Sequence, residues 1–484
     1  MVFNSFSFLL LFFPLTLAGF FLLGRRKQSW AALWLLLASL VFYCLWDYRA
    51  LPLLLASIAG NYYAGQRIIA ADRQPGRKRW LIAALVFNLL FLGFFKYVNF
   101  FIGSVNSLLD HQIQALAIIV PIGISFFTFT QISLLVDAYY QKITRLDALQ
   151  YLLFVSYFPY IVAGPVLHHQ EMMAQFHDKK RYALDGNSLA SGLALFVLGL
   201  AKKLLLADNL VPMIDALFAD SQPQLLQAWL GMLAYSFQLY FDFSGYSDMA
   251  VGVSRCLGFH LPLNFNSPYK AASISEFWLR WHISLSRFLR NYLYIPLGGN
   301  RQGQLSRYRN LLLTMLLGGL WHGANWTFVV WGGLHGLYLC IQHGWQFWRG
   351  KRAKAEHRLV AGATRVLTLL AILVAWCFFR APDLASALEV LAGMIGANGV
   401  SPVAAVSPWG YLMLAAATAI AFLSPNSNEI VLSLDRFYQQ GLPAFSLFRL
   451  RWAANIPWGL WTGLLLALCL LSMERTNDFI YAQF

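Results

Sequence analysis

Gly318-Gly319-Leu320-Trp321-His322-Gly323-Ala324-Asn325-Trp326 sets one imidazole among glycines and tryptophans inside a chain otherwise made for lipid. An ionisable side chain at membrane depth is costly, so it persists where it faces a cavity or a pathway instead of hydrocarbon. The glycines let neighbouring backbones approach closely while Trp321 and Trp326 supply rigid apolar walls, a combination that suits a narrow channel. A histidine held by a neighbouring carbonyl in a packed bundle fits the same spacing, so on spacing alone the two readings of His322 stand level.

Composition fixes the class of protein around this stretch. Of 484 residues, 59% are hydrophobic and 16% aromatic, and only 12% are charged, where an ordinary soluble domain has about a quarter charged. The chain therefore reads as an all-α polytopic membrane protein. Its net charge of +15 would suit nucleic acid, but the basic residues fall in short runs between apolar segments, as in cytoplasmic loops, so no nucleic-acid partner is expected. Cys44, Cys256, Cys340, Cys377 and Cys469 are widely spaced, which gives neither a metal-binding pair nor a disulfide framework. Met1 to Leu23 lacks a basic leader and a small-residue cleavage site and is read as a retained first span.

Apolar runs begin near Phe6, Trp30, Pro52 and Trp80, each long enough for the roughly 20 residues a crossing needs. Arg25-Arg26-Lys27 and Arg77-Lys78-Arg79 alternate with near-neutral stretches at Asp47 and Asp110, which puts the N-terminus outside. Leu116 to Tyr139 is a further apolar stretch interrupted by Pro121 and Gly123, and Tyr151 to Leu167 follows, ending in Ala163-Gly164-Pro165. The adjacent His168 and His169 point about 100° apart on a helix and fit a loop or interfacial role better than one shared site. Leu189 to Leu206 carries Lys202 and Lys203, and Leu225 to Phe243 leads into Asp242 and Asp248, which at the mouth of an apolar run read first as helix-end hydrogen-bond acceptors.

From Ser273 to Asn300 the pattern is that of one amphipathic helix at the cytoplasmic interface. Phe277, Trp281, Phe288 and Tyr292 share a face that Trp278, His282, Leu285 and Leu289 widen, with Arg280, Ser284, Arg287 and Asn291 opposite. Ser273 and Glu276 have capping-box spacing. His282 sits on the apolar side, either pointing into the protein or packed as a structural histidine. Arg309 to Leu317 is too short to span and reads as broken or re-entrant backbone. A second glycine-rich motif, Trp331-Gly332-Gly333-Leu334-His335-Gly336, follows inside Trp326 to Trp348. Spans near Thr364 to Phe379, Trp409 to Leu423 and Ile456 to Met473 complete the chain and leave Glu474 to Phe484 outside. The segments divide as 1–110, N-terminal spans; 111–350, catalytic core; 351–473, C-terminal spans; and 474–484, an extracytoplasmic tail, all within one membrane domain. There is no inverted internal repeat, Walker loop or Rossmann fingerprint.

Ser275-Glu276-Phe277-Trp278-Leu279-Arg280-Trp281-His282-Ile283-Ser284-Leu285-Ser286, then Leu297-Gly298-Gly299-Asn300-Arg301, then Leu320-Trp321-His322-Gly323-Ala324, resemble the membrane-bound O-acyltransferases, and within them the bacterial alginate O-acetyltransferase subgroup. The likeness extends to Met1-Val2-Phe3, Ala163-Gly164-Pro165 and Tyr240 to Asp248. It implies a ring of about 11 transmembrane helices, with re-entrant and cytoplasmic interfacial helices, around a tunnel joining a cytoplasmic donor site to an outer acceptor site. On this resemblance His322 matches the catalytic histidine and His282 the second characteristic polar position, with His335, Asp242, Asn325 and Trp321 as supporting groups. A neutral imidazole with reference pKa near 6.5 can remove a hydroxyl proton and return it to a leaving thiolate, which requires no metal and no bound cofactor.

Phe479-Ile480-Tyr481-Ala482-Gln483-Phe484 is similar to the C-terminal motif of the small membrane subunit in the related D-alanylation system, which makes Tyr481 a candidate acyl relay. An aromatic anchor at the interface is the plainer reading. The expected function is transfer of acetyl from a cytoplasmic thioester, acetyl-CoA, across the inner membrane for O-acetylation of an exported or cell-envelope polysaccharide such as alginate, cellulose or peptidoglycan. An extracytoplasmic SGNH or esterase-like acetyltransferase is the expected partner, the polysaccharide is reached indirectly, and membrane lipids surround the protein. Arg280, Arg287 and Arg290 are candidates for attracting the donor's phosphates, although positive-inside anchoring is the stronger reading for any one of them. A transporter or lipid-linked sugar flippase is the competing class; it would move substrate without releasing CoA.

Overall fold

The computed structural model describes residues 1–109, 112–350, 358–400, 407–433, 435, 437–438, 446–473, 477 and 479–480, and among them there is helix, turn and irregular backbone but no strand. Two compact units appear, Met1–Phe196 with Met249–Pro262 and Val197–Asp248 with Leu263–Phe484. Among the described residues, four helical segments are long and apolar enough to cross a membrane: Gln28–Ala70, Gln74–Leu109, Gly186–Ala219 and Val360–Arg380. Only 17% of the most apolar window of Gln74–Leu109 is buried, so Leu90, Phe101 and Leu108 face outward, as lipid allows and water does not.

In the first unit, helices are joined by small residues and by polar pairs, the usual adhesives where apolar contact with lipid and with protein is equally favourable. Gly19 of Phe13–Gly24 leaves room for the Trp34 indole of Gln28–Asp47, whose Nε1–H donates to the Thr16 carbonyl at 3.0 Å. Buried Asn61 and Asn88 exchange amide hydrogen bonds between Leu51–Ala70 and Gln74–Leu92. Gln131, on Ile124–Tyr139, donates to Ser57 and accepts from the Tyr151 hydroxyl. Two stretches are less helical than their apolarity suggests. Residues 112–121 are irregular, and helix starts only after Gly123, whose φ of 70° and whose contact with the Ile161 carbonyl admit no side chain. Helix Ala148–Ser156 likewise stops before the buried turns at 157–164. His169 opens helix His169–His177 with its ring edge-on to Phe154 at 5.5 Å.

The second unit holds the glycine-rich histidine motifs. Gly303–His322 is an uninterrupted helix of 20 residues, about 30 Å long at 1.5 Å per residue, so the expected break within Arg309 to Leu317 is not there. Arg307, Arg309 and Asn310 lower the hydropathy without ending the helix, because Asn310 is satisfied by the Gly299 carbonyl at 3.0 Å. The chain reverses over residues 323–325 and returns as Trp326–Arg349. A Cβ on Gly319 would meet the Phe328 carbonyl and lie 3.0 Å from Gly332 Cα, and one on Gly332 would meet the Met315 carbonyl. The close backbone approach expected of these glycines is what joins the hairpin.

The expected single helix from Ser273 to Asn300 is instead two short ones, Ile274–Arg280 and Ile283–Leu289, followed by a π-helical turn at Arg290–Tyr294. Asp242 and Asp248 also differ from expectation. Helix Leu225–Cys256 continues for 32 residues through both, so neither lies at a helix end. Each is buried beside a lysine: Asp242 Oδ1 lies 2.7 Å from Lys203 Nζ, and Asp248 Oδ2 lies 2.6 Å from Lys202 Nζ. Gly245, between the two aspartates, packs against the Gly199 carbonyl and brings the lysine-bearing segment within reach.

Candidate active site

The break between the two short helices is local chemistry. The Ser273 hydroxyl caps the first helix by accepting from Glu276 N–H at 3.2 Å, while the Glu276 carboxylate accepts from Ala272 N–H, one residue short of a closed capping box. Glu276 also pairs with Arg280 at 2.8 Å; Arg280 is buried and donates to the Asn266 carbonyl, so its guanidinium belongs to the fold and not to an open polar face. Trp281 then turns extended, and His282 takes φ 42° and ψ 53°. A left-handed non-glycine residue costs about 1–2 kcal/mol and persists only where its surroundings impose it. Here Asn264 imposes it: its carbonyl accepts from Ile283 N–H at 3.0 Å, and its side-chain oxygen accepts from the Ser284 hydroxyl at 2.6 Å. Asn264 in turn donates to Ser247 at 3.3 Å, which ties the break to the Tyr240–Asp248 motif.

The break turns the His282 imidazole inward, where it is 0% exposed, edge-on to Phe243 at 4.9 Å and 6.1 Å from Trp321. Across from it lies His322, the last residue of its helix and 4% exposed, with the two ring centres 6.4 Å apart. His322 is enclosed by Trp321 at 4.9 Å, Trp331 at 5.0 Å and Phe379 at 5.2 Å. His335 lies on the same Trp331 ring, 4.9 Å away, with Trp278 at 5.1 Å and Phe277 stacked at 6.0 Å. Neither ring nitrogen of His335 has a hydrogen-bond partner among the described residues. Trp376, stacked on Trp331 at 5.8 Å, closes the aromatic wall.

His282, His322, His335 and Trp321 are thus brought together. Asn325 has a supporting place at the turn: its side-chain oxygen accepts from Thr327 N–H at 3.0 Å and its amide donates to the Pro382 carbonyl at 2.7 Å, fixing the hairpin beside His322. Asp242 stands apart from the histidines, in the cluster with Lys203. Tyr481 lies outside the described residues. Sequence reading missed the Trp376 and Phe379 wall and the pairing of Lys202 and Lys203 with Asp248 and Asp242. The signal for the latter was present, since two adjacent cations and two acids interrupt apolar runs of similar character. Among the described residues no group of three or more His, Cys, Asp or Glu side chains is arranged for a metal.

Two buried imidazoles close to each other within an apolar, aromatic enclosure on helices of a membrane protein are suited to acid–base chemistry shielded from water. The membrane-bound O-acyltransferase family model matches residues 78–380, and the chain belongs to that family. It is a multi-pass membrane acyltransferase, which sets aside the transporter reading. Among its relatives, the peptidoglycan O-acetyltransferase of Helicobacter pylori is 43% identical over 429 residues, covering 83% of this chain and 81% of that protein. The probable alginate O-acetylase AlgI of Azotobacter vinelandii is 45% identical over 401 residues, 81% of this chain and 78% of that protein. The teichoic acid D-alanyltransferase of Streptococcus thermophilus is more distant, 28% identical over 253 residues, half of this chain and 60% of that protein.

Proposed function

We propose that this protein is an O-acetyltransferase of the inner membrane that takes acetyl from a cytoplasmic thioester, acetyl-CoA, and passes it outward for O-acetylation of a cell-envelope or exported polysaccharide. The observation that carries the reading is the opposed pair His282 and His322, 6.4 Å apart inside the aromatic wall. That separation leaves the ring nitrogens out of reach of one another, so each can address a reacting atom placed between them.

In this reading His322 removes the proton from an attacking hydroxyl, whose oxygen adds to the thioester carbonyl. The C–S bond breaks as the C–O bond forms, and the imidazolium returns its proton to the departing thiolate. His282, held at a fixed angle by Asn264, orients the donor or the acceptor across the same gap. The first acceptor is the Tyr481 phenol, and the product is an aryl ester, activated enough to surrender acetyl to a second hydroxyl and regenerate the phenol. An extracytoplasmic SGNH or esterase-like protein receives the group and delivers it to the polymer. The relatives that acetylate peptidoglycan or alginate support a polysaccharide as the final acceptor.

The test is purified protein in lipid with acetyl-CoA labelled on the acetyl group, followed by mass analysis of the peptide that contains residue 481. Label on Tyr481 that disappears in His322→Ala supports donor, base and carrier together. CoA release that depends on His322 with no label on Tyr481 removes the carrier and keeps the transferase.

A further inference from the structure

A charge cluster that the histidine chemistry does not use holds the segment beyond the last long helix. Lys203 lies in a π-helical turn, Lys202–Ala207, and its side chain is 3% exposed. Its ammonium is 2.7 Å from Asp242 Oδ1 and 2.9 Å from Asp208 Oδ1. One cation against two carboxylates leaves the cluster a positive charge short in an apolar surrounding, a costly arrangement unless other donors reach the surplus oxygens. One such donor arrives from far along the chain: Ile480 N–H donates to Asp242 Oδ2 at 3.0 Å. Phe479 stacks on Tyr246, one helical turn from Asp242, with ring centres 4.4 Å apart and planes at 24°. The same ring lies 6.2 Å from Phe243, and Phe243 meets His282 edge-on at 4.9 Å.

Two successive tail residues are therefore fixed to one helix, Ile480 by its main chain and Phe479 by its ring, and Phe243 neighbours both Phe479 and the His282 imidazole. The main-chain bond sets the position of the segment along the helix whatever its side chains are. The Phe479 stack adds the side-chain selectivity.

We infer that Asp242, oriented by Lys203, is the seat of this protein's own 479–480 segment and sets where the next residue, Tyr481, meets the His282 and His322 pair. Asp242 acts as a positioning residue and takes no part in bond making. The seat stands on the contacts above, whereas its consequence for transfer rests on the carrier reading of Tyr481 under Proposed function.

The test uses the full chain in lipid nanodiscs. Hydrogen exchange of the peptide containing Ile480 is measured in wild type, Asp242→Ala, Asp242→Asn and Phe479→Ala, alongside acetyl-CoA-dependent labelling of Tyr481. Asp242→Ala and Phe479→Ala are expected to speed exchange at Ile480 by at least about tenfold, the factor that accompanies loss of a charge-assisted hydrogen bond. Labelling falls in parallel, with the loss in kcat and not in KM for acetyl-CoA. Asp242→Asn keeps an oxygen that accepts from Ile480 and restores part of both, which a role confined to gluing the Lys203 turn would not do. Phe479→Ala leaves the charges in place, so it keeps the experiment readable if Asp242→Ala does not fold. Unchanged exchange at Ile480 in both alanine variants would overturn the seat, and faster exchange with undiminished labelling would overturn its positioning role. Loosening by both variants in a protein whose wild type carries no label supports the seat and overturns the carrier reading alone.

Discussion

The imidazoles of His282 and His322 lie with ring centres 6.4 Å apart and planes at 60°, and Trp321 neighbours both, at 6.1 Å from one and 4.9 Å from the other. His282 comes from a strained break between two short helices, and His322 from the end of a long one. Two histidines on independent supports can be removed one at a time, so their roles separate experimentally.

His322→Ala should lower acetyl-CoA-dependent transfer by at least about a hundredfold, the lower end of what a positioned acid–base group contributes. The side chain lies among apolar rings, and its loss leaves the hairpin glycines and the Asn325 cap in place. Turnover measured as CoA release, on protein whose elution profile matches wild type, checks this. Near-normal turnover would remove His322 from the chemistry.

His282 combines a side chain and a backbone angle, and three substitutions part them. Glycine adopts φ 42° freely and asparagine tolerates it, whereas alanine pays about 1–2 kcal/mol for the left-handed turn. His282→Ala should therefore melt lower than His282→Gly or His282→Asn, while all three lose activity alike for want of the imidazole. Activity restored by glycine would mean that the turn matters and the ring does not.

Gly319→Ala places a methyl against the Phe328 carbonyl and 3.0 Å from Gly332 Cα. Neither neighbour is a flexible side chain, so the helices must separate, at the 1–3 kcal/mol or so typical of overpacking. Because His322 follows on the same helix and Trp331 precedes Gly332 on its partner, the separation moves His322 from its wall. A lower melting temperature together with reduced CoA release is expected; Gly333→Ala, whose methyl would meet only the Leu316 side chain at 3.4 Å, is the control that should retain both.

The close backbone approach in the hairpin was legible because it depends on glycines at the crossing with tryptophans beside them, whereas Asn325 was read only as a supporting group and not as the cap that restarts the helix. The approach of His282 to His322 was not, since Asn264, which bends the backbone at His282, lies outside the Ser275–Ser286 motif and acts through hydrogen bonds that no periodicity records. Asp242 and Asp248 were misplaced at a helix end for a related reason. Hydropathy stops at Phe243, but the helix continues to Cys256 because Lys203 and Lys202 neutralise the acids from another segment. Arg309 misled in the same direction, suggesting a break where Asn310, held by the Gly299 carbonyl, lets the helix run on.

Lys202 and Asp248 form the neighbouring charged pair. Lys202 bonds Asp248 at 2.6 Å and the Ser427 hydroxyl at 2.8 Å, and Ser427 also donates to Asp248. Lys202→Met leaves the Asp248 charge buried with the Ser427 hydroxyl beside it and its cation gone, at a cost of about 3–5 kcal/mol. Adding Asp248→Asn removes the orphaned charge while keeping an oxygen for Ser427, so the double variant should recover most of the lost stability. The melting temperatures of the two single variants, the double variant and wild type form a cycle whose interaction energy reports the pair. If Lys202→Met alone proves neutral, water reaches Asp248 in the folded protein and the pair does not join these helices.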